Sequence, residues 1–285
     1  KTKDAIKAYQ KILKLHPKHL EAQQYLLTQG ANQGSIEDEN WYTQSDVNID
    51  LKLGKILNEL DKNQDDLSLL INRAIQVYKV HSNDPKALTL LADLYYLDNQ
   101  NNQALPLYIE VLNKVKNKFN IWENALDAAL LSGNYRELSN LSEEALLYFP
   151  SMYPTFYYYA LALMNQKKYE DAIRTLEEGA LMVQKQDQLF ITNRSLVTIC
   201  EYQLEDELAA NDNLNQLVKD YPNSELVKAT RNYINREHID ISDKIEIQNL
   251  HPLTALAMMH KSMEQGQQDF FLKLKDNTSW WEPYT

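Results

Sequence analysis

Cysteine is almost missing from this sequence. Of 285 residues only Cys200 is one, which excludes an intrachain disulfide and a cysteine-rich metal site. Glycine and proline are also scarce, at six and eight residues. A turn-rich all-β chain needs more of both, whereas a nearly all-helical one needs few. No stretch approaches the roughly 18 consecutive apolar residues of a membrane-crossing helix, so no transmembrane segment is expected, and the sequence shows no secretory signal. Positive charge falls short as well: Lys and Arg number 29 against 40 Asp and Glu, for a net charge of -11 and a pI near 5.1. Nucleic-acid binding draws most of its affinity from Lys and Arg that neutralise phosphates, so no nucleic-acid partner is expected.

Catalytic signatures are missing too. The glycines are too scattered to build a dinucleotide fingerprint or a phosphate-cradling loop. No G-x-S-x-G elbow occurs, and none of the histidines forms an H-E-x-x-H pair. His16 and His19 flank Pro17 in an expected surface turn, with no further ligand type beside them. Glu143-Glu144 and Glu177-Glu178 read as solvated faces. Cys200 follows an apolar stretch and reads as a small buried hydrophobe. No catalytic residue, metal site or cofactor is expected.

What the sequence does contain is a repeat. Residues 85–118, 119–152 and 153–186 align without gaps at a 34-residue period. The fourth position of each block is large and apolar (Leu88, Trp122, Phe156). Positions seven and eight hold Leu91-Ala92, Ala125-Leu126 and Tyr159-Ala160, and position eleven holds Tyr95, Ala129 and Leu163. Spacings of three and four place these side chains on one helical stripe. A polar break follows (Asp98-Asn99-Gln100, Ser132-Gly133-Asn134, Gln166-Lys167-Lys168), then a second helix. Its contact points are Ala104, Tyr108 and Val111; Leu138, Ser142 and Ala145; Ala172, Leu176 and Gly179. Small residues at such points let two helices approach closely.

These blocks resemble the tetratricopeptide repeat, a 34-residue helix-turn-helix unit with a bulky residue at position 4, small ones at 8, 20 and 27, and Pro at 32, where Pro150 stands. The resemblance implies an all-α fold, a right-handed superhelical solenoid of stacked helical hairpins. A fourth unit, residues 191–224, regains register after four extra residues, with Ala210, Leu214, Leu217 and Pro222 in the matching columns. Residues 1–29 read as a partial unit that begins with a second helix, on Ala5, Tyr9, Ile12 and Pro17. Residues 46–80 read as a divergent helical pair, with Leu51, Leu53, Ile56, Leu57 and Leu60 facing Leu67, Leu70, Ile71, Ala74, Ile75 and Tyr78. The repeat array as a whole is expected over 46–238.

Two stretches, 30–45 and 239–250, fit no repeat column. They are read as an irregular loop and a register break, each either an insertion or a place where residues are absent from this chain. The start within a repeat leads to the expectation of a longer parent protein. Residues 239–285 are expected to form a cap over the last repeat, as terminal units of arrays require, or else a docking tail. Leu253, Leu256, Met259 and Met263 line one face there, followed by Phe270, Phe271 and Trp280-Trp281.

The resemblance also implies a place for a partner. In tetratricopeptide arrays the first helix of each unit lines a concave groove. Carried over column by column, the partner-binding positions are Thr89, Asp93, Tyr96, Glu123, Asp127, Tyr157, Leu161, Met164, Ser195 and Tyr202. The family's clamp for acidic peptide termini needs Lys and Asn where this chain has Thr89 and Asp93, Glu123 and Asp127, Tyr157 and Leu161, so that clamp is excluded. Asp93, Glu123 and Asp127 beside tyrosines instead suit a basic or amphipathic segment of a protein partner. Reversing the three charges is expected to weaken capture without unfolding the array.

The phrases NIWENALDAALLSGNYRELSNLSEEALLYFPSMYPTFYYYALALMNQKKYEDAIRTLEEG and ENWY are similar to those of exported tetratricopeptide proteins of the Bacteroidetes, commonly periplasmic or lipid-anchored outer-membrane scaffolds. That likeness implies a non-enzymatic scaffold or adaptor in a cell-envelope or secretion complex, with a cytoplasmic location as the alternative. Two further readings stay open: the recruiting part of a larger enzyme, and a polysaccharide-export scaffold.

Overall fold

The polar breaks of the repeat close in one conformation, and that conformation sets the hairpins. The computed structural model of the chain describes residues 2–29, 39–62, 67–185 and 187–234. Two units are distinguished. The first, up to Gly133, holds α1 (Thr2–Leu15), α2 (Leu20–Thr28), α3 (Ile49–Lys62), α4 (Leu67–Val80), α5 (Pro85–Leu97), α6 (Asn101–Leu112) and α7 (Phe119–Leu131). The second, from Asn134, holds α8 (Tyr135–Tyr148), α9 (Tyr153–Asn165), α10 (Tyr169–Ala180), α11 (Gln188–Gln203), α12 (Glu207–Asp220) and α13 (Glu225–Ile234). The described residues contain no strand. The fold is all-α and built from helix-turn-helix repeats.

The first helices α5, α7, α9 and α11 end in a left-handed residue at the same repeat column: Asn99 (φ 56°), Gly133 (φ 70°), Lys167 (φ 60°) and Glu205 (φ 61°). At three of these ends the next amide reaches back five residues, Gln100 to Tyr95, Lys168 to Leu163 and Asp206 to Glu201. This double closure satisfies carbonyls that the helix end leaves bare. Asn and Gly tolerate positive φ, but Lys and Glu carry a Cβ that opposes it. Lys167→Gly or Glu205→Gly is therefore expected to stabilise the second unit by roughly 0.5–1 kcal/mol, measurable as a higher urea midpoint. A lower midpoint would place the greater loss in unfolded-state entropy.

The second helices bury the expected contact points. Ala104, Tyr108, Val111, Leu138, Ser142, Ala145, Ala172 and Leu176 are buried, as is Gly179. Trp122, Ala125, Leu126 and Ala129 line the core from α7, and Leu88, Leu91 and Ala92 do so from α5. The four extra residues before 191 have a simple use: Asp187 stands at the N-cap position of α11, its carboxylate accepting from Gln184 N (3.1 Å), and the next three add a turn to the helix start.

The leading part of the first unit departs from the sequence reading in its details. Residues 30–38 lie outside the described residues, but Glu39–Thr43 form a short 3₁₀ helix whose Trp41 and Tyr42 are buried in the core with Ile56, Leu70, Ala74 and Val77. Leu57 turns outward and Lys52 takes an inward place on α3. The Lys52 ammonium donates to the Gln44 carbonyl (2.6 Å) and lies 3.2 Å from His81 Nε2. Burial there lowers its pKa to about 8, against the pull of Asp46. Gln23 ties α2 to the entry of α3, donating to Asp46 O (2.6 Å) and accepting from Asn48 N (2.7 Å). His19 caps α2, its Nδ1 accepting from Ala22 N. Residues 239–285, with the cap or docking tail expected there, lie outside the described residues.

Candidate interaction surface

In the first unit, α5 and α7 are neighbouring first helices, and hydrogen bonds join their predicted groove residues. Tyr96 Oη donates to Asp127 Oδ2 across 3.3 Å. Asn124 Nδ2 donates to Asp93 Oδ1 (3.3 Å), and Tyr108 Oη, reaching from α6, donates to the same oxygen (2.7 Å). Two hydrogen-bonded sets, Tyr96 with Asp127 and Asp93 with Asn124 and Tyr108, thus brace the wall between α5 and α7. Thr89 stands one turn earlier, its hydroxyl spent on the Pro85 carbonyl of its own helix. Glu123 is half-buried on α7, and its carboxylate accepts no hydrogen bond from another described residue.

Electrostatics follow from burial. The Asp93 carboxyl is pushed above its ordinary value by desolvation, although the hydrogen bonds from Tyr108 and Asn124 favour its ionised form. Desolvation alone raises Glu123. The phenols of Tyr96 and Tyr108 are raised far out of their usual range, first by burial and then by the adjoining carboxylates. These tyrosines are therefore permanent donors, and the wall they brace is electronegative.

A carboxyl whose folded pKa exceeds its unfolded one weakens the fold at neutral pH, and the loss lifts as pH falls through the folded value. Tyr108→Phe removes the shorter bond to Asp93 and is expected to cost about 1.5–3 kcal/mol near pH 8, less toward about pH 4. Urea unfolding at both pH values measures it. An equal loss at both would mean that Asp93 is already neutral. Asp127 is 3% exposed and accepts from Tyr96, so reversing all three acidic charges also places two cations among donors. Of the three, only Glu123 offers a charge that can be reversed without breaking one of these hydrogen bonds.

In the second unit the predicted residues fall differently. Tyr157 and Leu161 on α9 are buried, and so is Ser195 on α11, whose hydroxyl has no hydrogen-bond partner among the described residues. Tyr157 packs edge-on against Tyr158 with ring centres 5.2 Å apart. Met164 and Tyr202 keep partial exposure, and Tyr202 meets Tyr233 of α13 edge-on at 5.9 Å. Sequence reasoning missed Asn124 altogether, since nothing in its spacing marks it. By its repeat column Tyr108 is a packing residue, yet a buried phenol ordinarily needs a partner, and that demand points toward an acceptor such as Asp93.

Burial raises the Cys200 thiol to about 12, which leaves it unreactive. No group of three His, Cys, Asp or Glu is placed to hold a metal ion among the described residues. No helix among them is long and apolar enough to cross a membrane.

No family model matches the chain, and a comparison with curated proteins gives no match. Solved structures do match. A tetratricopeptide repeat protein from Parabacteroides merdae superposes with a TM-score of 0.58 over 82% of this chain and 94% of its own, at 14% identity. The chain has the tetratricopeptide-repeat fold. YrrB, described as a tetratricopeptide protein with an unusual peptide-binding site, matches at a TM-score of 0.55 and 11% identity over 72% of this chain and 97% of its own. MamA from Desulfovibrio magneticus RS-1, from residue 41 onward, matches at 0.52 and 13% identity over 60% and 93%. Repeats of this fold present helix faces, and the α5–α7 wall is such a face, with half-buried aromatic and carboxylate groups side by side.

Proposed function

We propose that the chain is a non-enzymatic interaction scaffold that holds a basic or amphipathic segment of a partner protein on the first-helix face of α5 and α7. The observation that carries this reading is Glu123. It is a half-buried carboxylate with no donor from the described residues, beside a phenol–carboxylate wall that excludes other anions. A partner Lys or Arg would supply the missing charge, and Tyr96 would supply contact area. Membership of a cell-envelope or secretion complex rests on the resemblance to exported Bacteroidetes proteins alone.

A photo-crosslinking amino acid at Tyr96 of the intact protein, used in its native cells, tests this. The expected adduct joins a Lys- or Arg-containing segment, and Glu123→Lys reduces its yield at least tenfold while leaving helicity unchanged. Equal yields from Tyr96 and from a crosslinker at the exposed Leu208 would overturn the reading.

A further inference from the structure

The repeat provides its own control for surface composition. At positions 29 and 30 of the 34-residue unit, residues 85–118 carry Asn113-Lys114 and residues 191–224 carry Lys219-Asp220, both polar. The two blocks between them carry Leu147-Tyr148 and Leu181-Met182. A position that the fold leaves open to polar residues has thus been made apolar twice in succession. Both pairs lie in the second unit, at the ends of the second helices α8 and α10. Leu147 is 79% exposed and Leu181 86%, and Tyr148 and Met182 are exposed beside them. Met152, also exposed, follows Tyr148 by one turn of chain. Scattered exposed leucines are ordinary, but one repeat column made apolar in two successive units is not scattered.

The surroundings of the ridge name the charge of what fits it. One helical turn before each leucine stand Glu143 and Glu177, both exposed, with exposed Glu178 beside the second. Neither α8 nor α10 carries a basic residue in its last turn, so the negative ends of both helix dipoles lack a cation of their own. Lys185 is the exposed cation that follows the ridge in the chain, and Arg174 on α10 is already paired with Asp171. The acidic rows repeat at the same interval as the leucines. A ligand that answers both rows must present apolar side chains on one stripe and cations on its flank, which is the pattern of a basic amphipathic helix.

We propose that the α8–α10 ridge is a second docking surface, separate from the first-helix face, for an amphipathic helix of a partner protein whose apolar stripe is flanked by Lys or Arg. Leu147 and Leu181 are its anchors, Tyr148, Met152 and Met182 widen the contact, and Glu143, Glu177 and Glu178 set its orientation.

The test uses the full chain and a fluorescein-labelled leucine–lysine peptide of helical period, read by anisotropy. Two companion peptides replace its leucines with alanine or its lysines with glutamate. Leu147→Glu with Leu181→Glu is expected to weaken binding at least tenfold, while Leu208→Glu, a third exposed leucine, leaves it within twofold. Both companion peptides are expected to bind at least tenfold more weakly than the parent. Circular dichroism establishes that the double variant keeps its helices, as the exposure of both residues requires. Unchanged affinity of the double variant overturns the proposal, as does an alanine peptide that binds as well as the parent. Loss of parent-peptide binding in Glu123→Lys, with none in the double variant, would seat the peptide on the α5–α7 face and overturn it too. Uptake of the protein by zwitterionic vesicles, lost in the double variant, would make the ridge a lipid contact instead.

Discussion

Replacing Trp122 by alanine is expected to destabilise the first unit by roughly 3–5 kcal/mol, a large part of the 5–15 kcal/mol that a domain commonly holds. Trp122 is fully buried at the fourth position of its repeat. Its indole Nε1 donates to the Lys116 carbonyl across 3.0 Å, and the Lys116 ammonium lies 5.8 Å from the ring centre. One side chain therefore fills the space where α7 meets α6 and also holds the loop that joins them. Alanine leaves a cavity and an unsatisfied carbonyl together, the second worth about 1 kcal/mol. Trp122→Phe restores much of the volume but not the donor and is expected to lose about half as much. Guanidinium unfolding followed by circular dichroism separates the two. A loss below about 1 kcal/mol in the alanine variant would show that neighbouring helices collapse into the space.

Enlarging Gly179 is expected to do comparable damage to the second unit by the opposite means. A Cβ built on Gly179 would stand 2.8 Å from Phe156 Cβ and 3.2 Å from Phe156 Cγ. Both atoms sit close to the backbone of α9, so the phenylalanine cannot swing aside without moving its helix. Gly179→Ala gains about 1 kcal/mol of helix propensity but meets an overpacking cost of about 1–3 kcal/mol, for a net loss near 1 kcal/mol. Gly179→Leu has no such offset of scale and is expected to lose more than about 3 kcal/mol, with α9 and α10 forced apart. Hydrogen exchange of α10 amides reports the separation directly. Wild-type protection in the leucine variant would mean that α10 can slide along α9 at little cost.

Gly179 shows how much of the fold could be read from the chain. Its place at position 27, in the column of Val111 and Ala145, marks it as a crossing point, and the crossing is there. The polar break at Ser132-Gly133-Asn134 likewise marks a turn, with Gly133 supplying the left-handed residue. At the same column Lys167 and Glu205 adopt that conformation too, and no propensity rule would assign it to them. There the packing of adjoining helices overrides a local preference worth about 1 kcal/mol. The burial of Trp41 and Tyr42 was equally hidden, since a five-residue 3₁₀ helix is too short to show a period.

The candidate surface was legible by position and not by state. Repeat columns named Asp93, Tyr96 and Asp127, and the structure joins Tyr96 to Asp127 and Asp93 to Tyr108 and Asn124, through partners 15 and 31 residues away in the chain. Glu123 stood in the same series with nothing to distinguish it, and only the placement of donors around its neighbours sets it apart.

The sequence alone determined the helical class, the 34-residue period and the side of each repeat helix that turns inward, because those follow from side-chain volume and spacing along one helix. Tertiary structure decided which acidic groups are already satisfied, that Lys52 lies inside, and that Leu147 and Leu181 lie outside. Each of these depends on atoms contributed by helices distant in the chain, and the spacing of residues along one helix carries no record of its neighbours.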